Sequence, residues 1–180
     1  MTRDGQLMGV RQPLPIGLPD DQCSPPIRNR NHHQSRNHED LNQMKNYGEF
    51  HDGSFEGLWI DGKTAHVFLA TEGRERFTVV AEGVAALAVE GVKAGNILFE
   101  VLERGPEEVL SQDIQTLYAL QEGPAGETQG ANLLEKAHLQ GWKILEVNPS
   151  YGASCLVLAS SLDISRREDW LERYVLSLTR

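Results

Sequence analysis

Residues 54–71 read Ser54-Phe55-Glu56-Gly57-Leu58-Trp59-Ile60-Asp61-Gly62-Lys63-Thr64-Ala65-His66-Val67-Phe68-Leu69-Ala70-Thr71. Asp-Gly between two apolar arms is a strong short-range hairpin signal. On the second arm Ala65, Val67 and Leu69 share one face and His66, Phe68 and Ala70 the other, which is the period-2 pattern of a strand. The first arm, residues 54–60, reads as its partner. Glu72-Gly73-Arg74 turns the chain again, and residues 75–82 form a third strand around Phe77, Val79 and Val80. Three short runs at this spacing predict an antiparallel meander.

Further along, residues 84–89 read as a strand bracketed by Gly83 and Gly91. Gly95-Asn96 turns into a strand over residues 97–102, which Arg104-Gly105-Pro106 stops. Pro106, followed by Glu107 and Glu108, suits a helix start, because proline tolerates the first turn and acids complement the dipole there. A helix is expected from Pro106 to about Leu120, with Leu110, Ile114 and Leu117 on one face and Val109 and Tyr118 flanking. Residues 121–130, rich in glycine, read as a loop. Leu133, Leu134, Ala137 and His138 suggest a second helix ended by Gly141. Strands over residues 142–148 and 154–160 follow, joined by a Pro149-Ser150-Tyr151-Gly152 hairpin. Ser165 and Glu168 have capping-box spacing. Trp170, Leu171, Tyr174, Val175 and Leu178 then form an apolar stripe expected to bury on the sheet.

The predicted fold is α+β: a mostly antiparallel sheet of six or seven strands with two or three helices, preceded by a disordered N-terminal tail. The expected organisation is a tail over residues 1–43, an α+β domain over 44–163, and an amphipathic helix over 164–180 packed on that domain. The tail holds five of the chain's eight prolines and a polar run from Arg28 to His38, which offers nothing to bury. His32, His33, His38 and Cys23 could suggest a metal tract, and Arg28, Arg30 and Arg36 a nucleic-acid arm. Adjacent histidines diverge in an extended chain, and Glu39-Asp40 offsets the arginines, so neither is favoured. A further expectation is that translation starts at Met44, because Glu39-Asp40 can be encoded by a purine-rich ribosome-positioning stretch.

Charge narrows the partners. Residues 44–180 carry 12 Lys/Arg against 21 Asp/Glu, so the whole net charge of −9 sits there. Such a domain repels phosphates and anionic lipid surfaces, which argues against nucleic acid and membrane and for a basic protein partner. Two cysteines make no disulfide framework, and no signal-peptide pattern opens the chain, so a cytoplasmic location is expected.

No cofactor or metal signature is present in the sequence. His51-Asp52 is the most catalytic-looking pair, since a histidine beside an acid can act as a base near neutral pH. Asp52 before Gly53 is also ordinary turn chemistry. Ser150 and Cys155 are the available nucleophiles, but a nucleophile needs a base within hydrogen-bond reach. Cys155 lies among Leu156, Val157 and Leu158, where a thiol packs as a small hydrophobe. Glu100, Glu103, Glu107 and Glu108 cluster round a turn without the spacing of a calcium loop. His66 reads as a half-buried strand residue.

His51-Asp52, the strand near Leu58-Trp59-Ile60, and Gly95-Asn96-Ile97 resemble features of bacterial polymorphic-toxin immunity proteins, over roughly residues 47–102. The same residues are similar to small bacterial domains of no assigned role. The first resemblance implies a protein that binds and blocks a partner, with no catalytic residues to carry over. The leading expectation is thus a non-catalytic binding domain, with His51, Asp52, Ser150 and Tyr151 as its binding residues. The alternative is a small hydrolase using His51 with a carboxylate or Ser150. A third possibility is a subunit that assembles through its C-terminal helix.

Overall fold

The structure, a computed structural model, describes residues 44–178, with side chains to Ser177. The expectations for Cys23, the tail histidines, tail disorder and a start at Met44 lie outside the described residues. Nine strands and three α-helices follow in the order β1 (Lys45–Asn46), β2 (Ser54–Asp61), β3 (Thr64–Ala70), β4 (Arg76–Glu82), β5 (Ala86–Glu90), β6 (Asn96–Arg104), α1 (Ser111–Tyr118), α2 (Pro124–Leu139), β7 (Lys143–Tyr151), β8 (Ser154–Ala159), β9 (Ser161–Arg166) and α3 (Arg167–Leu178). The fold is α+β and every strand pairing is antiparallel.

The meander forms as its sequence predicts, but the turn frame is shifted. Asp61 pairs with Thr64, so Gly62-Lys63 is the two-residue loop. Gly62 has φ +59°, at the first loop position, where a type II′ turn requires glycine.

The strands run β5-β8-β7-β6-β2-β3-β4-β9, with β1 beside β6. Only Ser160 separates β8 from β9, and residues 83–85 separate β4 from β5. Each pair is one strand bent at that point. The bent strands lie antiparallel along both halves, from Phe77 opposite Arg166 to Glu90 opposite Ser154. The sheet therefore closes on itself. Its inner face gathers Phe55, Val67, Leu69, Val79, Leu98 and Val147 into one core, with Phe50 fully buried among them. At the Lys45 end of β6 the inner face turns polar. The Tyr47 hydroxyl donates to Glu103 at 2.7 Å and Lys143 Nζ donates to the same carboxylate at 2.8 Å. Burial lifts the Tyr47 phenol well above its usual range, and the Glu103 contact adds to this. For Glu103 burial acts upward too, but the Lys143 and Tyr47 hydrogen bonds outweigh it and hold the carboxyl below its ordinary value.

The helices cover the outer face. Ile114 and Leu117 of α1 and Ala137 of α2 pack with Ile144 and Leu158 into a second core. Trp170 of α3 lies 5.5 Å from Phe68 and 5.1 Å from His66 by ring centroid.

Several expectations need correction. The sheet has nine strands, against six or seven. Ser165, with capping-box spacing to Glu168, is instead a residue of β9 whose hydroxyl accepts from Arg173 at 2.6 Å. The divide at residue 163 falls inside that strand. The single helix from Pro106 is instead a 3₁₀ turn over Pro106–Glu108 and then α1. The break is held by carboxylates that reach back, Glu108 to the Gly105 amide at 2.8 Å and Asp113 to the Leu110 amide at 2.7 Å. Leu110 is left exposed. The loop over 121–130 is largely the first half of α2. Gly126 is there for close approach, since a Cβ would sit 1.9 Å from the Gln121 carbonyl oxygen. The Pro149-Ser150-Tyr151-Gly152 hairpin is also misplaced, because β7 runs through Tyr151, which pairs with Ile97 of β6. The stripe of α3 divides: Trp170 is buried, while Leu171 and Val175 are 46% and 56% exposed.

Candidate functional site

The site grows from the tripeptide His51-Asp52-Gly53. A 3₁₀ turn over Gly48–Phe50 buries Phe50 and delivers the next three residues to the start of β6. The Asp52 amide donates to the Leu98 carbonyl at 3.2 Å, and the Leu98 amide donates back to Gly53 at 3.0 Å. Asp52 takes the left-handed φ of 58°, which aspartate tolerates better than most residues. Gly53 cannot be replaced without movement, because a Cβ would lie 2.2 Å from the Ala70 carbonyl oxygen. This latch presents His51 and Asp52 at the surface. His51 Nδ1 and Asp52 Oδ2 are 3.0 Å apart, and the His51 ring lies 5.6 Å from that of Phe99.

Ser150 and Tyr151 approach the same stretch from the other side of β6. Pro149 pairs with Leu98 and Tyr151 with Ile97. The Ser150 hydroxyl donates to the Ile97 carbonyl at 3.4 Å. Lys93 Nζ sits 4.7 Å over the Tyr151 ring. The four residues chosen from the sequence thus all attach to residues 97–99, flanking them in two pairs. Between the pairs lie two residues that sequence reasoning placed in a strand but not in a site. Ile97 and Phe99 are 43% and 52% exposed, and Tyr151 is 51% exposed beside them. The available signal was alternation, since Ile97 and Phe99 bracket the fully buried Leu98. No hydrogen bond joins His51 or Asp52 to Ser150 among the described residues.

Other candidates resolve into structure. Burial pushes the Cys155 thiol up to about 12, far from a reactive thiolate. The acidic cluster does not converge: Glu103 binds Tyr47 and Lys143, Glu100 accepts from Asn148 at 3.0 Å, and Glu108 caps the Gly105 amide. Among the described residues no group of three or more His, Cys, Asp or Glu is placed to hold a metal ion. A cleft of about 360 Å³ opens between α1 and the outer face of β5, β7 and β8, lined by Glu90, Asp113, Glu146 and Asn148 among others. Two of its carboxylates are already paired with Arg104, Asp113 at 2.8 Å and Glu146 at 2.9 Å.

His66 is buried rather than half-buried. It stacks on Trp59 at 4.8 Å, under Trp170 and Tyr174, and its Nδ1 has no hydrogen-bond partner. Burial lowers its pKa, and Asp61 opposes the shift in part. The unfolded chain therefore binds this proton more readily than the folded one. His66 contributes stability that is complete above the ordinary value of about 6.5 and lost as pH falls through the lower folded value. The melting temperature should drop between pH 7.5 and 5.5, and less steeply in His66→Phe; parallel profiles would show that His66 is not responsible.

Comparison with protein families, with curated proteins and with solved structures gives no match. Among the described residues no helix is long and apolar enough to cross a membrane.

Proposed function

We propose that this chain is a non-catalytic binding domain that captures a basic protein partner through the surface around His51, Phe99 and Tyr151. One observation carries it: Ile97, Phe99 and Tyr151 stand exposed together where His51, Asp52 and Ser150 meet β6. Aromatic side chains held on a sheet are good interface anchors, because they bring large contact area at little entropic cost. The net charge of −9 speeds encounter with a basic surface and disfavours nucleic acid or an anionic membrane. The hydrolase alternative is less well supported, since the Ser150 hydroxyl has a carbonyl partner and, among the described residues, no imidazole. The resemblance to immunity proteins adds a blocking role to this capture. A cytoplasmic setting fits the free, buried Cys155.

Affinity capture from source cells, with the wild type and with a Phe99→Ser/Tyr151→Ser variant, tests the proposal. The wild type should retain a basic protein that rebinds in purified form, more weakly as salt rises. The variant should lose about tenfold or more in affinity, as hot-spot truncation does. Equal binding by both proteins, or binding indifferent to salt, overturns it.

A further inference from the structure

We infer that the open edge of β2 is a strand-addition site, taking an extended basic segment of the partner. This rests on the binding function proposed above and specifies how the partner is held. β2 is paired with β3 along its length, but with β6 only at Ser54 and Phe55. β6 begins at Asn96, opposite Phe55, so Gly57–Asp61 runs past its end. Among the described residues no strand lies beside this stretch.

Register shows which groups the edge offers. The two-residue loop makes Asp61 and Thr64 a hydrogen-bonded pair, and such pairs recur at every second residue. Trp59 and Gly57 therefore turn their backbone groups toward β3, and Leu58 and Ile60 turn theirs outward. Unpaired N–H and C=O groups spaced along an edge are satisfied best by another extended chain, which is how peptides add to sheets. The edge is also apolar, with Ile60 53% exposed.

The second observation is the adjoining flank of α3. Trp170 and Tyr174 contact Trp59, and Arg173, one helical step round, reaches Asp163 and Ser165 on β9. Leu171 and Val175 fall on the opposite flank, toward β2, and are exposed. An added strand thus finds apolar surface as well as backbone partners.

Charge chooses the occupant. Protected edges commonly carry lysine or proline. Asp61 ends this one, and the exposed side of α3 above it carries Glu168 and Glu172; none of the three makes an ion pair among the described residues. Lys63 in the turn offsets only part of this. A second copy would bring −9 against −9, whereas a segment alternating apolar residues with Lys or Arg complements both backbone and carboxylates.

A capped octapeptide of alternating valine and lysine is the probe, with a version N-methylated at alternate amides as control. Ile60→Pro is the matching variant, because its N–H faces outward and the ladder to β3 survives its loss. The wild type should bind the plain peptide, and N-methylation and Ile60→Pro should each weaken binding about tenfold, near the loss of one or two hydrogen bonds. Protection of the Leu58 and Ile60 amides on titration gives a second readout, independent of how Ile60→Pro folds. If both peptides bind equally, or the captured natural partner binds Ile60→Pro as tightly as the wild type, strand addition is wrong and capture of a basic partner still stands. If the captured partner fails to bind even the wild type, capture itself is wrong. A dimer in sedimentation that Ile60→Pro abolishes would make a second copy the occupant and overturn the assignment.

Discussion

Replacing Arg104 with Met should destabilise the domain by about 3–5 kcal/mol, the cost of breaking a buried ion pair from one side. The guanidinium is almost fully enclosed and makes two 2.8 Å hydrogen bonds to Asp113, one to Glu146 and one to the Glu108 carbonyl at 2.8 Å. These contacts outweigh the effect of burial and hold the Arg104 pKa above its ordinary value. Without the cation, Asp113 is a buried carboxylate with little beyond the Leu110 amide to hold it. That amide marks the start of α1, so the first turn of α1 should loosen along with the sheet–helix contact. The melting temperature should fall by roughly 10–20 °C, given a few degrees per kcal/mol for a domain of this size. Adding Asp113→Leu to Arg104→Met should recover a large part of the loss, because the pair then leaves together. If the two losses simply add, the network is not what holds α1 in place.

Phe50→Ala should cost a similar amount, about 3–5 kcal/mol, by opening a cavity that a closed sheet cannot collapse to fill. Phe50 is fully buried and meets Phe77 edge-on at 5.3 Å and Tyr47 at 6.4 Å. It immediately precedes His51-Asp52-Gly53, so the cavity should also free the latch on Leu98 and weaken partner binding. Phe99→Ser makes the informative contrast. Phe99 is half exposed, so its loss should weaken binding while the melting temperature stays near that of the wild type. A Phe50→Ala protein that melts like the wild type would mean that the tripeptide is held by its backbone bonds alone.

These effects explain which parts of the molecule the sequence announces. The hairpin at Asp61-Gly62 and the alternation of residues 64–70 are local signals, and both are legible. The closure of the sheet is not local. It depends on bends at Ser160 and at residues 83–85, where one strand passes between two neighbours, and nothing near Ser160 marks that change. β9 was hidden because Leu162 and Ile164 alternate with polar residues over only a few positions, just before a helix-like acid run. The first half of α2 was hidden because Gly126 and Gly130 signal a turn by composition, yet here they admit the Gln121 carbonyl and the Leu120 side chain. At the candidate site, residue type alone singles out His51, Asp52, Ser150 and Tyr151. Their common attachment to residues 97–99 is not legible, because it is made by pairings between distant segments. Ile97 and Phe99 are legible as strand residues but not as a surface, because the strand's pairing with β7 slips between Ile97 and Glu100 and both side chains stand exposed.

Hydrogen exchange of the full chain with and without its captured basic partner is the most direct measurement. Amide protection should rise at His51 and Asp52, across Ile97 to Phe99, and at Ser150 and Tyr151, and should spare the cleft between α1 and β7. Unchanged exchange at residues 97–99, or protection centred on Asp113, Glu146 and Asn148, would contradict a binding surface at the start of β6.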